Sequence, residues 1–221
     1  MHTISKDKLI IGVKVLAMNE AQIRQSFHRK VLGRHHACAN TLVVDELGLK
    51  HGRCRADIAV INGHLNGFEI KSDRDSLFRL SEQVVTYGAV FDRATAIVTE
   101  RHLSSVQGIV PDWWGLIVCF CGPRGAVKFW TKKKPSINRS VDPFSVAQLL
   151  WSHEAREILG KKAVSPRLLR QSRAVLYGCL TDLLSMPELR RTVRAYLMAR
   201  KNWRCHEPAL PDDDLSQPSA T

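Results

Sequence analysis

The segment Gly67–Asp75, GFEIKSDRD, places a carboxylate and an ammonium two residues apart beside apolar side chains. In an extended strand, residues two apart point to the same side, so Glu69 and Lys71 share one face. The apolar Phe68 and Ile70 then occupy the other face. An isolated acid–lysine pair of this kind is by default an ion pair on a sheet surface. The strand that comes before it in the chain favours a second interpretation.

The preceding strand carries an acid of its own, since Asp57 interrupts the apolar run Ala56–Ile61, ADIAVI. An acid inside a central strand is costly unless a cation compensates for its lost hydration. Asp57 and Glu69 are therefore candidates for one shared polar site.

The turn between these two strands decides whether the two acids meet. If Asn62–Gly63 alone formed the turn, Asp57 would lie opposite the residue before Glu69, and the acids would face opposite sides of the sheet. A shared site requires either a three-residue loop, Asn62–His64, or a bulge at Asn66–Gly67. We predict one of these two arrangements.

Outward from this pair, hydrophobic periodicity and turn residues predict helix, three strands, helix and strand in that order. The predicted elements are a helix over 17–32, strands over 41–47, 55–61 and 65–72, a helix over 76–90 capped by Asp75, a strand over 94–99, a short helix over 103–109, a strand over 115–120 and an edge strand over 126–130. The sequence thus predicts an α/β fold with a mixed sheet flanked by helices.

The composition changes after the basic stretch 132–135, KKKP. From residue 143 to residue 206 the pattern is helical, and this part has twelve Lys and Arg against four Asp and Glu, a net charge of +8. The last residues are acidic and contain proline, which predicts a disordered tail. We therefore predict a domain over 1–135, a basic helical extension over 136–206 and a disordered tail over 207–221.

The whole chain has 221 residues, 44% of them hydrophobic, and a formal net charge of +12. That length and content suffice for a buried core, and the charge points to a polyanionic partner, nucleic acid ahead of an anionic membrane. No C-x-x-C pair occurs among the six cysteines, which argues against structural zinc. We read neither a signal peptide nor a run of about 20 apolar residues, and so predict a cytoplasmic location.

Together, Asp57, Glu69 and Lys71 form D-x(11)-E-x-K. This pattern, and the order of elements over 41–99, resemble the PD-(D/E)XK nuclease superfamily and its restriction-endonuclease-like core. Ala56 stands where the motif has its proline, a position that often varies in the superfamily. The resemblance implies an α-β-β-β-α-β core with the helical extension attached.

The resemblance also implies a metal centre. Asp57 and Glu69 would be metal ligands together with the main-chain carbonyl of Ile70, and Glu46 on the first strand would be an additional acidic ligand. Carboxylates suit Mg²⁺, with Mn²⁺ as the alternative, and no small-molecule cofactor is implied. Lys71 would orient the attacking water or help to deprotonate it, and would offset charge in the transition state, so Asp57, Glu69 and Lys71 are the predicted catalytic residues.

The helix after the E-x-K strand reads Q-x-x-x-Y at Gln83 and Tyr87. This resembles an extra motif of the RecB-like branch of the superfamily, and it implies that both residues support the site. Arg79 lies on the same helical face, because residues four apart are neighbours on a helix. An ordinary exposed helical face explains Arg79 equally well.

The leading hypothesis is a metal-dependent nuclease that hydrolyses DNA phosphodiester bonds, in DNA repair or in defence. Its predicted nucleic-acid-binding residues are basic: Arg79, Lys132, Lys133, Lys134, Arg167, Arg170 and Arg173. The alternative is a catalytically silent nucleic-acid-binding protein on a nuclease-like scaffold. An enzyme acting on RNA is a weaker third hypothesis, because the sequence offers no platform of stacking aromatic residues.

Overall fold

A computed structural model describes residues 17–122 and 125–200 of the chain. The strands are β1 Leu42–Leu49, β2 Cys54–Ile61, β3 Leu65–Lys71, β4 Arg93–Thr99, β5 Gly115–Cys121 and β6 Val127–Lys133. The helices are α1 Glu20–Lys30, α2 Gly33–His36, α3 Leu80–Val90, α4 Leu103–Ile109, α5 Pro143–Ala147, α6 Ser152–Lys161, α7 Pro166–Leu169, α8 Arg173–Leu183 and α9 Met186–Ala199. Short 3₁₀ turns, Lys50–Gly52 and Glu100–His102, follow β1 and β4.

The six strands form one mixed sheet in the order β1-β2-β3-β4-β5-β6. Neighbours are antiparallel from β1 to β3, parallel from β3 to β5, and antiparallel again between β5 and β6. Parallel neighbours need a crossover connection, which α3 and α4 provide. The predicted mixed α/β fold is confirmed at this general level.

The loop between β2 and β3 has three residues, which confirms one of the two predicted arrangements. Ile61 pairs with Leu65, so Asn62–His64 forms the loop, and the register continues to the pair Ile58 and Phe68. Gly63 has a φ of 92°, a left-handed conformation that glycine adopts without steric cost. This register places Asp57 beside the part of β3 that carries Glu69 and Lys71.

One face of the sheet is covered by α1. Its first turn is fixed by a reciprocal cap, in which the Asn19 and Gln22 side chains each accept a hydrogen bond from the other residue's N–H. Ile23 and Phe27 are fully buried and pack in one cluster with Ile70 of β3. The opposite side of the same helix therefore remains available for polar contacts.

The other face of the sheet is covered by α3 and by the C-terminal helices. Tyr87 of α3, Val146 of α5, Leu176 of α8 and Leu189 of α9 are all buried in one cluster with Leu47 of β1. The predicted boundary near residue 135 falls in the connection between β6 and α5, and both sides of it contribute to this cluster. The helical segment is thus a packed layer on the sheet.

The start of α3 corrects one prediction. The helix begins at Leu80 and not at Ser76, because Asp75 does not cap it. The Asp75 carboxylate instead accepts hydrogen bonds from the backbone N–H and the hydroxyl of Ser72, at 2.7 and 2.6 Å. A connection that contains turns at 73–74 and 78–79 therefore separates β3 from α3.

Within the described residues, no helix is long and apolar enough to cross a membrane. The predicted tail over 207–221 lies outside the described residues.

Candidate metal and nucleic-acid site

The motif acid of β2 lies where β2 separates from β3. The regular ladder between these strands ends at Ile58 and Phe68. Beyond it, the Oδ2 atom of Asp57 accepts a hydrogen bond from the backbone N–H of Ile70 at 2.6 Å. The carboxylate thus takes the place of a main-chain partner, and its position is tied to the E-x-K strand. Ile70 meets Asp57 through its N–H, whereas the sequence expectation concerned its carbonyl.

Glu46 lies beside Asp57 because the backbone of β1 is irregular at this point. Asp45 pairs with Ile58 and Leu47 pairs with Ala56, but Glu46 between them has a φ of 56°. A left-handed glutamate inside a strand is uncommon and costs on the order of 1–3 kcal/mol unless the surroundings hold it in place. The distortion directs the Glu46 carboxylate to the acidic cluster described next.

Three acidic side chains from separate elements meet at this point. Glu20 of α1, Glu46 of β1 and Asp57 of β2 each contribute a carboxylate oxygen to a group in which all three atoms lie within 4.8 Å of one another. All three residues are partly exposed. We call this group the acidic cluster. Carboxylate oxygens at such spacing are ligands that Mg²⁺ accepts, so the residues fit the predicted kind of metal.

Arg24 of α1 lies among these acids. Its Nη2 atom is 2.7 Å from Glu46 and 3.7 Å from Asp57, and it also donates to Glu20, one helical turn away. Its Nη1 atom lies 3.8 Å from Asp45 and donates to the main-chain carbonyl of Asp57. Burial alone would lower the pKa of Arg24, but the hydrogen bond to Glu20 and the surrounding carboxylates raise it overall. Arg24 therefore supplies permanent positive charge to the acidic cluster.

Sequence reasoning did not identify Glu20 and Arg24. They precede β1 by some twenty residues, and the pattern of α1 gives them an exposed helical face. An acid in the first turn is favoured by the helix dipole alone, so Glu20 carried no separate signal. Their spacing of four residues was the usable clue, because it places a carboxylate and a guanidinium side by side.

The E-x-K pair is held by the helix that follows it. Lys71 Nζ lies 2.7 Å from the Glu69 carboxylate and donates to the side-chain oxygen of Gln83 at 3.0 Å. Gln83 donates from its amide nitrogen to Glu69, and Tyr87 donates its hydroxyl hydrogen to the other Glu69 oxygen at 2.6 Å. Glu69 is 1% exposed and Lys71 is 7% exposed. The structure thus brings the four predicted residues Glu69, Lys71, Gln83 and Tyr87 into one buried network.

This buried network lies close enough to the acidic cluster to change its protonation. Burial and the neighbouring charge of Glu69 raise the pKa of Asp57 to about 8, against the hydrogen bond from Ile70, which lowers it. Glu69 itself is engaged by Lys71, Gln83 and Tyr87. Of the predicted metal ligands, Asp57 and Glu46 therefore lie in the acidic cluster, and Glu69 lies in the network behind it.

An open cleft of about 840 Å³ gives access to the acidic cluster. Its walls include Gln83 and Arg79 of the predicted residues, and Lys50, Arg53 and Arg55, which were not predicted. Glu69 and Lys71 are not part of the wall and lie behind Gln83. The cleft thus combines acids at its base with basic side chains around it.

The remaining predicted basic residues lie in two other places. Lys132 and Lys133 are on β6, at the edge of the sheet opposite β1, and their amines contact Gln107 and Asp112 at 3.1 and 3.3 Å. Lys134 follows directly after β6. In the helical layer, Arg167 belongs to α7, Arg170 ends it and Arg173 begins α8. Of these six residues, Arg173 borders two cavities next to the cleft.

Comparison with known proteins identifies relatives of the chain. The profile of the family described as Bacteriophage P4 protein cII matches residues 15–207. Protein cII of Enterobacteria phage P4 is 27% identical over 179 residues, which cover 81% of this chain and 64% of that protein. The chain therefore spans less than two thirds of the length of this relative. Among solved structures, the SPO1766 protein of unknown function from Silicibacter pomeroyi is 18% identical, with a TM-score of 0.37, over 59% of this chain and 86% of that chain.

Proposed function

The chain belongs to the Bacteriophage P4 protein cII family, and from the site that it carries we propose that it is a metal-dependent nuclease that hydrolyses DNA phosphodiester bonds. The proposal includes a restriction-endonuclease-like core of the PD-(D/E)XK type. One observation carries it: the hydrogen bond of 2.6 Å between Asp57 and the N–H of Ile70 holds the motif acid against the E-x-K strand, at the base of an open cleft.

Mg²⁺ is the proposed metal, with Mn²⁺ as the alternative. Asp57 and Glu46 would hold it together with Glu20, which replaces Glu69 in the ligand set first expected from the sequence. When bound, the ion would supply Lewis-acid stabilisation of the phosphate and a bound water of lowered pKa. The carboxylates themselves fix the position of the ion and keep the base of the cleft negatively charged.

The buried network supplies the remaining electrostatics. Glu69 and Gln83 hold the ammonium of Lys71 in one orientation behind the cleft wall. A fixed positive charge near a phosphate favours the more negative transition state over the ground state, provided that it need not reorganise during the reaction. Gln83 lines the cleft and contacts both Glu69 and Lys71, so it links the network to the substrate side.

A second function is favoured by the position of Arg24. Its guanidinium already offsets part of the negative charge of the acidic cluster, and Glu69 has partners on both oxygens. A protein that binds nucleic acid through the basic wall of the cleft, without turnover, would have this arrangement. The two functions differ in whether a divalent ion enters the acidic cluster.

A digestion assay separates the two functions. Purified protein is incubated with Mg²⁺ and with labelled single-stranded, double-stranded or branched DNA. The Asp57→Asn variant is the central test, because its side-chain oxygen can still accept the bond from Ile70 while the ligand charge is lost. We expect wild-type cleavage, reduced about 100-fold or more in Asp57→Asn and in Lys71→Ala.

The control is Lys128→Ala, which removes an exposed charge from β6 and should cleave as the wild type does. DNA binding without cleavage in every protein would establish the non-catalytic function instead. Absence of DNA binding by the wild type would contradict both functions.

A further inference from the structure

The turn between β1 and β2 has an unusual backbone. Lys50, His51 and Gly52 have φ values of 48°, 58° and 84°, so three consecutive residues are left-handed. Glycine adopts this conformation freely, but lysine and histidine do so at a cost. The turn therefore holds two side chains in positions that an ordinary turn would not give them.

The side chains around this turn are basic and lack acidic partners. Among the described residues, Lys50, Arg53 and Arg173 have no acidic side chain within ion-pair distance, and all three are exposed and border one cavity of about 580 Å³. Burial and the charges of Arg173 and Arg53 lower the pKa of His51, and all three residues line that cavity. Among its lining residues this cavity has no carboxylate, so the like charges around it repel one another, and an anionic ligand would relieve the repulsion.

The helical layer fixes one side of this arrangement. The ring of His51 stacks on the ring of Tyr177, with centroids 5.6 Å apart and planes 24° apart. Tyr177 is buried and donates its hydroxyl hydrogen to the carbonyl of Leu150 at 2.8 Å. Arg173 lies one turn earlier on the same helix, α8. The contact between His51 and Tyr177 thus holds the turn against the N-terminal part of α8.

The turn also connects the cleft to the helical layer. Lys50 and Arg53 line both the cleft and the cavity of about 580 Å³. His51 and Arg173 line that cavity and a neighbouring one of about 280 Å³. A trough therefore runs from the acidic cluster, across the turn, to the start of α8.

We propose that Lys50, Arg53 and Arg173 form a phosphate-binding subsite that holds the nucleic-acid backbone where the strand leaves the cleft. This inference rests on the proposed function, since it names where the substrate of that site is gripped. Guanidinium and ammonium groups bind phosphate oxygens with short, charge-assisted hydrogen bonds. The subsite assigns a role to the packed helical layer, which contributes Arg173. It also assigns substrate binding to the β1 edge of the sheet and not to Lys132, Lys133 and Lys134 at the other edge.

The salt dependence of binding tests the subsite. Anisotropy of a fluorescein-labelled oligonucleotide is measured without divalent ions, over a range of NaCl concentrations, for the wild type and for Lys50→Gly/Arg53→Gln/Arg173→Gln. Each phosphate contact contributes about 0.9 to the slope of log affinity against log salt for duplex DNA, and about 0.7 for single strands. We expect the triple variant to lose roughly 2–3 from the absolute slope for duplex DNA.

The matched control removes three exposed cations that line neither the cleft nor the two cavities beside it, in Arg29→Gln/Lys128→Gln/Arg139→Gln. Its net charge equals that of the first variant, and its slope should stay at the wild-type value. Equal slopes for the two triple variants, or a larger loss in the control, would overturn the subsite. Absence of DNA binding by the wild type would overturn it as well.

The single variant Lys50→Gly separates binding from folding. Glycine suits the left-handed conformation, so this variant should melt at or above the wild-type temperature and still lose about 1 from the slope. An unchanged slope would contradict the role of Lys50. Cleavage is measured separately: a wild type that binds with the expected slope but does not cleave contradicts the nuclease function and leaves the subsite intact.

Discussion

Asp57 is held between two opposing influences, burial beside Glu69 and the hydrogen bond from Ile70. Its pKa in the folded protein, about 8, lies above its ordinary value of 3.8. A raised pKa means that the folded state binds the proton more tightly than the unfolded state does, so protonation stabilises the fold. This contribution is complete below about pH 4 and is lost as the pH rises through about 8.

We therefore predict that, in EDTA, the wild-type free energy of unfolding falls relative to that of Asp57→Asn as the pH is raised from about 4 to about 8. Asparagine does not titrate, so the difference between the two proteins reports the titration of Asp57 together with its interaction with Glu69. Urea unfolding at a series of pH values measures it. A difference that does not change with pH would show that Asp57 is ionised throughout.

Arg24 acts as an internal counter-ion of the acidic cluster. Removing its charge in Arg24→Gln leaves Glu20, Glu46 and Asp57 without their shared cation. We expect a loss of stability on the order of 1–3 kcal/mol in EDTA. Mg²⁺ or Ca²⁺ should then raise the melting temperature of the variant more than that of the wild type, because the ion no longer competes with the guanidinium.

Thermal unfolding with and without divalent ions measures the effect of Arg24→Gln. Arg29→Gln, on an exposed position of the same helix, is the matched control and should behave as the wild type does. If divalent ions stabilise neither protein, the acidic cluster is an ion-pair network and not a metal site.

Among the elements, β3 has no room for a side chain at Gly67. A Cβ atom at Gly67 would lie 2.6 Å from Cδ2 and Cε2 of the fully buried Phe91 ring. We predict that Gly67→Ala destabilises the fold by about 1–3 kcal/mol, because Phe91 or β3 must shift. Displacement of β3 would also move Glu69 and Lys71.

The comparison for Gly67→Ala is Gly178→Ala in α8, where no atom beyond the adjoining residues and the backbone of the same helix lies within 4 Å of the added Cβ. Alanine is favoured over glycine inside a helix, so this variant should be as stable as the wild type or gain up to about 1 kcal/mol. Urea unfolding measures both variants. Equal stability of the two variants would show that the Phe91 ring moves aside without an energetic cost.

The strands, including β2 and β3 with their motif residues, could be predicted from local sequence. The alternation of Glu69 and Lys71 with Phe68 and Ile70 gave the correct faces of β3, and the count of residues between Asp57 and Glu69 required the three-residue loop that occurs. These features depend only on neighbours in the chain, and such neighbours determine strand pleat and turn length.

Features that depend on distant partners could not be predicted in this way. The left-handed backbone of Glu46 and the insertion of Arg24 between acids of three elements arise from tertiary contacts that no local pattern records. The start of α3 was misplaced for a related reason. The Asp75 carboxylate can either cap a following helix or accept hydrogen bonds from a preceding turn, and in the structure it accepts from Ser72. Aspartate side chains bind backbone N–H groups both in helix caps and in turns, and here the turn is the partner.

For the whole molecule, the apolar stripes of the C-terminal helices predicted helices but not what they cover. In the structure, Leu150, Tyr177 and Leu189 share one buried cluster with Leu47 of β1. Periodicity identifies an apolar face, whereas the partner of that face is determined by the complete fold.

We predict that a fragment of residues 1–135 does not fold cooperatively, because it leaves this face of the sheet open to water. Its urea unfolding should be broad, and it should bind the dye ANS. A chain ending at residue 206 retains α5–α9 and should unfold as sharply as the full chain. A sharp transition in the shorter fragment would show that the helical layer is an independent addition.

Among the described residues, the non-glycine residues with left-handed backbones are Glu46, Lys50, His51 and Ala163. The first three border the cleft or the cavities beside it. Anyone engineering a more heat-tolerant variant would replace such positions with glycine, and at Ala163 nothing chemical is lost by doing so. At the other three, the same choice would discard a carboxylate, an ammonium or an imidazole. At these three positions, a substitution that raises the melting temperature would therefore also remove a side chain that can bind a charged ligand.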